Sequence, residues 1–473
     1  MGYQGIMSSP LRRHWIDVWN PEDETFWQAS GQKIARRNLL WSIVAENVGF
    51  SIWLIWSVVS TRLPKAGFHY TTEQLFSLVA LPGLIGSLMR FPYTFAVPRF
   101  GGRNWTVVSA LLLFIPTTAL ALLVTRPATP YWLMALAAST AGLGGGNFAS
   151  SMANISFFYP DRKKGFALGL NAAGGNIGVS TVQLLIPIVL GVPLFNLHWL
   201  SLGRPQGAGH LYLQNAGLFW MPLVAIAVFG AARYMNNLTS ARSNFKDQLV
   251  VTRRKHTWVM SWLYIGTFGS FIGYSAAFPL LIKTQFPQVT INLAFLGALV
   301  GSVARPLGGK LADRIGGARL TLWNFVAMGA ATVGVIHFLH GHSFGGFIAM
   351  FLLLFVTTGV GNGSTFRMIP VIFRRQHLRA AQGRGPEAER QALEVARRES
   401  AAVLGFTSAV GACGGYLIPR SFGAAIHATG SAELALRGFL VFYVTCVALT
   451  WWFYARRSAP TGAAIPSLAE AQV

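Results

Sequence analysis

LMRFPYTFAVPRFGGRNW (88–105) and VARPLGGKLADRIGGARL (303–320) are two versions of one pattern. Arg90 falls on Arg305, Arg99 on Arg314, Gly101 on Gly316 and Gly102 on Gly317, each pair separated by 215 residues. The same offset carries GGGN (144–147) onto GVGN (359–362). Farther along, KGFALGLNAAGGNIG (164–178) resembles AAVLGFTSAVGACGG (401–415) once an insert before the second segment is allowed. A register held across several elements makes the chain a tandem of two related halves.

The medium that surrounds those halves follows from composition. With 53% hydrophobic and 11% charged residues over a length of 473, the chain belongs to the membrane class. A spanning helix needs about 20 mostly apolar residues. Twelve stretches qualify, at 38–60, 75–98, 106–124, 132–157, 166–191, 214–234, 258–280, 291–309, 320–340, 344–372, 401–425 and 434–455. They divide the chain into a polar tail (1–37), a first half (38–234), a central loop (235–257), a second half (258–455) and a second tail (456–473). The insert at 378–400, charged and rich in Ala, Glu and Arg, reads as a short helix outside the membrane.

The net charge of +23 raises a nucleic-acid reading, which the positions of the charges exclude. Of the 38 Lys and Arg, 28 lie in segments on the side of the two chain ends, six lie in the opposite loops and four lie within spans. That bias is the positive-inside signature of an inner (cell) membrane protein with both termini cytoplasmic. The first 37 residues carry Arg12, Arg13, Lys33, Arg36 and Arg37 and contain no apolar run of the signal-peptide kind. The fold class expected is therefore an all-α polytopic membrane protein, twelve helices in two six-helix halves. Parallel six-helix repeats describe the major facilitator architecture, with the ligand site near the midplane between the halves. GGKLADRIGGAR (308–319) resembles that superfamily's loop between the second and third helices of a half; VPRFGGR (97–103) is a degenerate counterpart without the Asp.

Two charges sit where a bilayer tolerates them least. A charged side chain at the centre of a spanning helix costs about 2.5–3.5 kcal/mol on insertion scales, so it persists only where something compensates it. Arg90 and Arg305 lie deep in their spans and at equivalent depths in the two halves. Almost no carboxylate matches them, which makes the ligand the missing counter-charge. Guanidinium is planar, permanently charged and bidentate, and suits a flat oxyanion better than a sugar or a cation. Arg367 and Arg420 lie near helix ends and can extend to the interface.

The segments GLGGGNFASSMANISFFYPDRKKGFALGLNAAGGNIGVS (142–180), GVGNGSTFRMIPVIFR (359–374) and ESAAVLGFTSAVGACGG (399–415) look like the Gly-rich signatures of the nitrate/nitrite porter family. The resemblance, to bacterial NarK-type transporters, runs from the first span to the last. It implies transport of nitrate and nitrite, with anion-binding arginines at Arg90 and Arg305, an Asn contact at Asn176, and aromatic walls at Phe148, Tyr264 and Phe268. Tyr264 and Phe268, spaced i, i+4, share one face of a helix. Taken alone, such a pair is more often packing than a wall, and one buried Asn is as often interhelical glue. Gly165, Gly169, Gly174, Gly175 and Gly178, with Gly405, Gly411, Gly414 and Gly415, form ladders of small residues expected to pack helices closely and let them slide. No strand precedes them, so they are not a dinucleotide fingerprint.

Coupling is less determined. Two arginines that cannot deprotonate favour reorientation only with an anion between them, which is the logic of nitrate/nitrite exchange. Glu46, within WSIVAENVGFSIW (41–53), is the one carboxylate deep in a span. It either carries a proton, making the protein a nitrate/proton symporter, or neutralises a neighbour. Other readings are a carrier of another small anion, an anion channel, which the two-half repeat disfavours, and an enzyme, for which no nucleophile, acid/base pair or metal cluster is visible at membrane depth. Cys413 and Cys446 are isolated within apolar spans, and His69, His198, His210, His337, His340 and His342 lie in or near loops without metal-ligand spacing. No cofactor and no metal are expected, and the protein is expected to act as a monomer on anions within the lipid bilayer.

Overall fold

The computed structural model describes residues 14–193, 204–206, 209–241 and 250–456. Arg12, Arg13, His198, part of the central loop and nearly all of the second tail lie outside these residues. Among the described residues, eleven helices are long and apolar enough to cross a membrane: α1 (Glu24–Arg62), α2 (Thr72–Phe100), α3 (Gly102–Leu123), α5 (Asp161–Val189), α6 (Asn215–Tyr234), α7 (Lys255–Gln285), α8 (Ile291–Ile315), α9 (Gly317–His340), α10 (Phe344–Ala381), α11 (Pro386–Thr429) and α12 (Glu433–Ala455). The remaining crossing, α4, is two consecutive helices, Tyr131–Thr140 and Gly142–Phe158, separated at Ala141. The twelve expected spans are thus all present; the fourth is interrupted at Ala141, as α1 is at Leu54 and Ile55, α3 at Leu112 and Leu113, α6 at Phe219 and α11 at Cys413.

The glycine run of α4 governs how closely it packs. A Cβ on Gly144 would lie 2.1 Å from the Gly49 carbonyl oxygen of α1, and one on Gly145 would lie 2.5 Å from the Trp53 ring. One on Gly142 would meet the Gly86 nitrogen of α2 at 2.6 Å. Only glycine lets α4 press its backbone against both neighbours. The second half repeats the device, since a Cβ on Gly359 would stand 2.2 Å from the Gly301 oxygen and one on Gly363 equally close to the Arg305 oxygen. In each half, then, a glycine-rich helix lies directly against the helix that carries the buried arginine.

The Gly-Gly pairs of the repeat close α2 and α8 in the same way. Gly101 has φ 87° and Gly316 φ 88°, a region that L side chains avoid, and each turns the chain straight into α3 or α9. At the start of α2, Thr71 accepts from the Gln74 backbone N–H while the Gln74 side chain accepts from that of Thr71, a reciprocal cap.

α1 and α7 are the most buried of the eleven crossings, and α3, α9 and α12 the least. The outer faces expose Leu111, Ile115, Phe229, Trp323, Val333, Val441 and Val444, which only a lipid surrounding makes favourable. The halves meet along α2 and α11, which run antiparallel: Gly83 faces Gly415, Ser87 Oγ donates to the Ala409 carbonyl at 2.8 Å, and Phe91 packs against Phe406.

Three expectations need correction. The first helix starts at Glu24, inside what reads as a polar tail, because Asp23 accepts from the Thr25 and Phe26 backbone and caps it. The 378–400 insert is no separate helix: α10 runs on to Ala381 and α11 begins at Pro386, so the insert is a hairpin of two prolonged spans turning at Gly383 and Gly385. A Cβ on Gly165 or Gly169 would meet nothing within 4 Å, so these two do not join the close-packed ladder. Two short strand pairs also occur, Trp15–Ile16 parallel to Asn237–Leu238 and Arg204–Gln206 antiparallel to Gly209–Leu211.

Gly101→Ala adds a Cβ 2.4 Å from the Asn237 side-chain oxygen and imposes an unfavourable φ, so it should destabilise the purified protein by about 1–3 kcal/mol. Gly309→Ala, in open space within α8, should change stability by no more than about 1 kcal/mol in thermal unfolding.

Candidate anion-binding site

Arg90 is fully buried and Arg305 nearly so, and both present their guanidiniums to the same phenyl ring. The Arg90 Cζ stands 4.7 Å from the Phe148 centroid and that of Arg305 stands 5.3 Å from it. Phe268 approaches Arg90 at 4.8 Å and stacks on Phe148 with centroids 5.9 Å apart. Tyr264 stacks in turn on Phe268 at 5.4 Å, and its hydroxyl accepts from Arg305 Nη2 at 3.4 Å. Five of the six expected binding residues, Arg90, Arg305, Phe148, Tyr264 and Phe268, therefore form one cluster built from α2, α4, α7 and α8. A cation over an aromatic face gains about 0.5–2 kcal/mol, most where water is excluded.

The α7 wall has its own local geometry. Residues Ile265–Gly269, Phe268 among them, form one π-helical turn directly after Tyr264, a widened turn common at functional sites. Gly266 and Gly269 make room for it, the latter packing on the Gly411 carbonyl oxygen.

Each guanidinium keeps a free arm. Arg90 Nε donates to the Gly145 carbonyl at 3.0 Å and its Nη1 to the Ser408 carbonyl of α11 at 2.8 Å, but its Nη2 has no partner. On Arg305 it is Nη1 that lacks one. Among the described residues neither arginine forms an ion pair. Two buried cations thus keep unfilled donors beside flat aromatic faces, in a setting where an unpaired charge is costly.

Asn176 makes no hydrogen bond to this cluster. It is buried in α5 with both amide atoms unpartnered, and so are both amide atoms of Asn362. Its glycine neighbours serve α1 instead: a Cβ on Gly174 would meet Ile43, one on Gly175 the Glu46 carboxylate, and one on Gly178 the Asn47 oxygen, at 2.5, 2.4 and 2.2 Å. In α11, Gly411 makes room for the Tyr264 ring and Gly414 for the backbone of Gly269, while Gly405 and Gly415 leave more space, 3.2 Å from the nearest atoms.

Glu46 is buried but not isolated. Ser151 Oγ donates to its Oε2 at 2.5 Å and Asn171 Nδ2 donates to the same oxygen at 2.8 Å, while Oε1 is unpartnered. Both arginines act on it electrostatically without touching it. The surface arginines also find partners, Arg367 on Asp313 at 2.5 Å and Arg420 on Glu73 of the other half at 3.4 Å.

Sequence reading missed Trp53, 5.4 Å from Arg90, and Phe366, 5.5 Å from Arg305. A signal for the first was present: Trp53 lies 215 residues before Phe268, the repeat offset. Phe366 has no such signal, because its counterpart at that offset is Ser151. Asn171 and Ser151, which hold Glu46, come from α5 and α4 and are brought to it only by helix packing.

Comparison with known proteins agrees with this architecture. Residues 47–383 match the Major Facilitator Superfamily model. The nitrate/nitrite transporter NarU of Escherichia coli (strain K12) is 47% identical over 450 residues, covering 94% of this chain and 97% of that protein. The probable nitrate/nitrite antiporter NarK2 of Thermus thermophilus is 38% identical, with the same coverage of each. Among solved structures, a bacterial homologue of the human lysosomal transporter Spinster superposes with a TM-score of 0.61 at 14% identity, over 88% of this chain and 95% of that one. A two-half helical bundle, matched in fold by transporters and over nearly its whole length by these sequences, places the chain in the nitrate/nitrite porter family of the major facilitator superfamily, a family of membrane transporters and not of enzymes.

Proposed function

We propose that this protein carries nitrate and nitrite across the cell membrane by alternating access, exchanging one for the other, with the anion held between Arg90 and Arg305. The observation that carries the reading is the pair of buried guanidiniums that share the Phe148 ring, each with an unpartnered nitrogen and, among the described residues, neither with a carboxylate. A trigonal or bent oxyanion can take two N–H donors in its plane while aromatic rings cover its faces; a tetrahedral oxyanion of sulfate type projects an oxygen into those rings. The names of the NarU and NarK2 proteins favour the same cargo. The charge bias along the chain orients both ends to the cytoplasm.

Exchange follows from charge. An empty site leaves two desolvated cations sharing one ring, and moving them through a closed state without an anion is costly. With an anion present the local charge is reduced, and reorientation is easier in both directions. Glu46 supports a second reading, proton-coupled uptake. It is a buried carboxylate with one unpartnered oxygen, set in a Ser151–Asn171 cradle within the field of both arginines.

In proteoliposomes, labelled nitrate uptake should require internal nitrite or nitrate and be indifferent to an imposed pH gradient, in wild type and in Glu46→Gln alike. Uptake without internal anion that follows the pH gradient and is lost in Glu46→Gln would establish symport instead. No nitrate or nitrite flux in either mode would point to another small anion.

Arg90→Lys and Arg305→Lys keep the charge but lose the planar fork, and each should reduce uptake by at least about tenfold, equivalent to some 1.4 kcal/mol. Near-normal uptake would remove the bidentate role. Phe148→Leu removes the ring shared by both guanidiniums and should weaken nitrate binding, measured by titration calorimetry, by about 1–3 kcal/mol.

A further inference from the structure

At the end of the bundle opposite the described chain ends, the two halves frame a basic cavity. It has a volume of about 280 Å³ and is lined from the first half by Thr61, Arg62 and Lys65, and from the second by Lys283, Gln288 and Asn292 among others. Three of the six Lys and Arg assigned by sequence to the loops on this side converge here, and no lining residue is acidic. Arg62 Nε is buried without a hydrogen-bond partner, and Lys283 Nζ donates to the Pro287 carbonyl at 2.8 Å, leaving its other N–H groups uncommitted. A cleft that gathers three cations and amide donors, with no carboxylate, concentrates small anions.

The cleft stands over the arginine cluster on the same two helices. α1 carries Trp53 beside Arg90 and Arg62 nine residues later; α7 carries Phe268 and, fifteen residues later, Lys283. At 1.5 Å per residue, the cleft lies roughly 13–22 Å along the bundle from the rings of the central site. Between the two levels lie buried polar atoms without partners: Trp56 Nε1 and Ser60 Oγ on α1, Gln183 Oε1 on α5 and Ser275 Oγ on α7. Gln183 ties these helices together, donating to the Ser275 carbonyl at 2.7 Å and to Ser57 Oγ at 3.4 Å. A polar column thus runs from the cleft toward the guanidinium pair through the otherwise apolar packing of α1 and α7.

We propose that Arg62, Lys65 and Lys283 form a second, peripheral subsite for small inorganic oxyanions, a capture site on the outward face that loads the central arginines when α1 and α7 part. The assignment rests on the nitrate/nitrite reading and on the orientation that the charge bias favours. Such a site raises the local anion concentration at one face only, and its effect is screened by salt because its cations are partly exposed.

The test is a two-sided transport assay on oriented proteoliposomes at low and high ionic strength, set with potassium gluconate. Neutralising Arg62→Gln, Lys65→Gln and Lys283→Gln together should raise KM for external nitrate at least about fivefold at low salt. The KM at the cytoplasmic face and the maximal rate should stay within about twofold. High salt should bring wild type toward the variant, and Arg126→Gln, an exposed cation on the same side, should change nothing. An unchanged external KM, or equal changes at both faces, overturns the subsite. Binding separates this inference from the transport reading: in the Arg90→Lys/Arg305→Lys background, millimolar nitrate should still raise the thermal unfolding temperature, and the triple neutralisation should abolish that rise. Wild-type protein that moves neither anion but keeps this stabilisation refutes the transport reading alone; absence of the stabilisation refutes the subsite.

Discussion

Two permanent charges held out of water govern this molecule. Each guanidinium has five N–H donors that water would otherwise satisfy, and each has lost that water. Carbonyl oxygens, a tyrosine hydroxyl and aromatic faces supply part of the replacement, and none of these carries a full negative charge. Much of the surrounding architecture serves to deliver these partial substitutes. The Gly145 carbonyl reaches Arg90 Nε because its glycine run lets α4 lie backbone to backbone against α1 and α2. The Ser408 carbonyl reaches Nη1 because α11 of the opposite half lies along α2.

That second bond makes Arg90 more than a feature of its own half. It ties α2 to α11 close to the level at which Phe148 from one half stacks on Phe268 from the other. Parting of the halves would have to break the carbonyl contact and slide the rings. The peripheral ion pairs add to the link at both ends of the bundle: Arg420 with Glu73 at one and Arg397 with Asp161, at 2.7 Å, at the other. Each is exposed enough to be worth little by itself, and is therefore easily broken and remade.

The internal symmetry is close in helix packing and loose in chemistry, although α4 is interrupted at Ala141 where α10 runs unbroken. Gly101 and Gly316 share one conformation, and the glycine-rich helices press on the arginine helices in both halves. Yet the residue 215 positions after Phe148 is Gly363, so a single ring serves both guanidiniums. Glu46 likewise stands on one side only. Its repeat position is Ser261, which donates to the Thr257 carbonyl within its own helix. Equivalent scaffolds thus carry unlike side chains at their centre.

Much of this was legible before any coordinate. Span count, two-fold repeat, the buried arginines and the aromatic pair on α7 are all set by local rules: apolar length, charge position and helical spacing act within one or two turns of chain. Tertiary structure alone decided which groups meet. It brought Phe148 to both arginines, gave Arg90 its carbonyls from α4 and α11, placed Ser151 and Asn171 on Glu46, and left the Asn176 amide without a hydrogen bond to the cluster. It also left Gly165 and Gly169 in open space, although their spacing matches that of glycines that do pack. Spacing specifies which face of a helix a residue occupies, but the neighbour that face meets depends on the rotation and crossing angle of helices distant in the chain, and no local pattern encodes those.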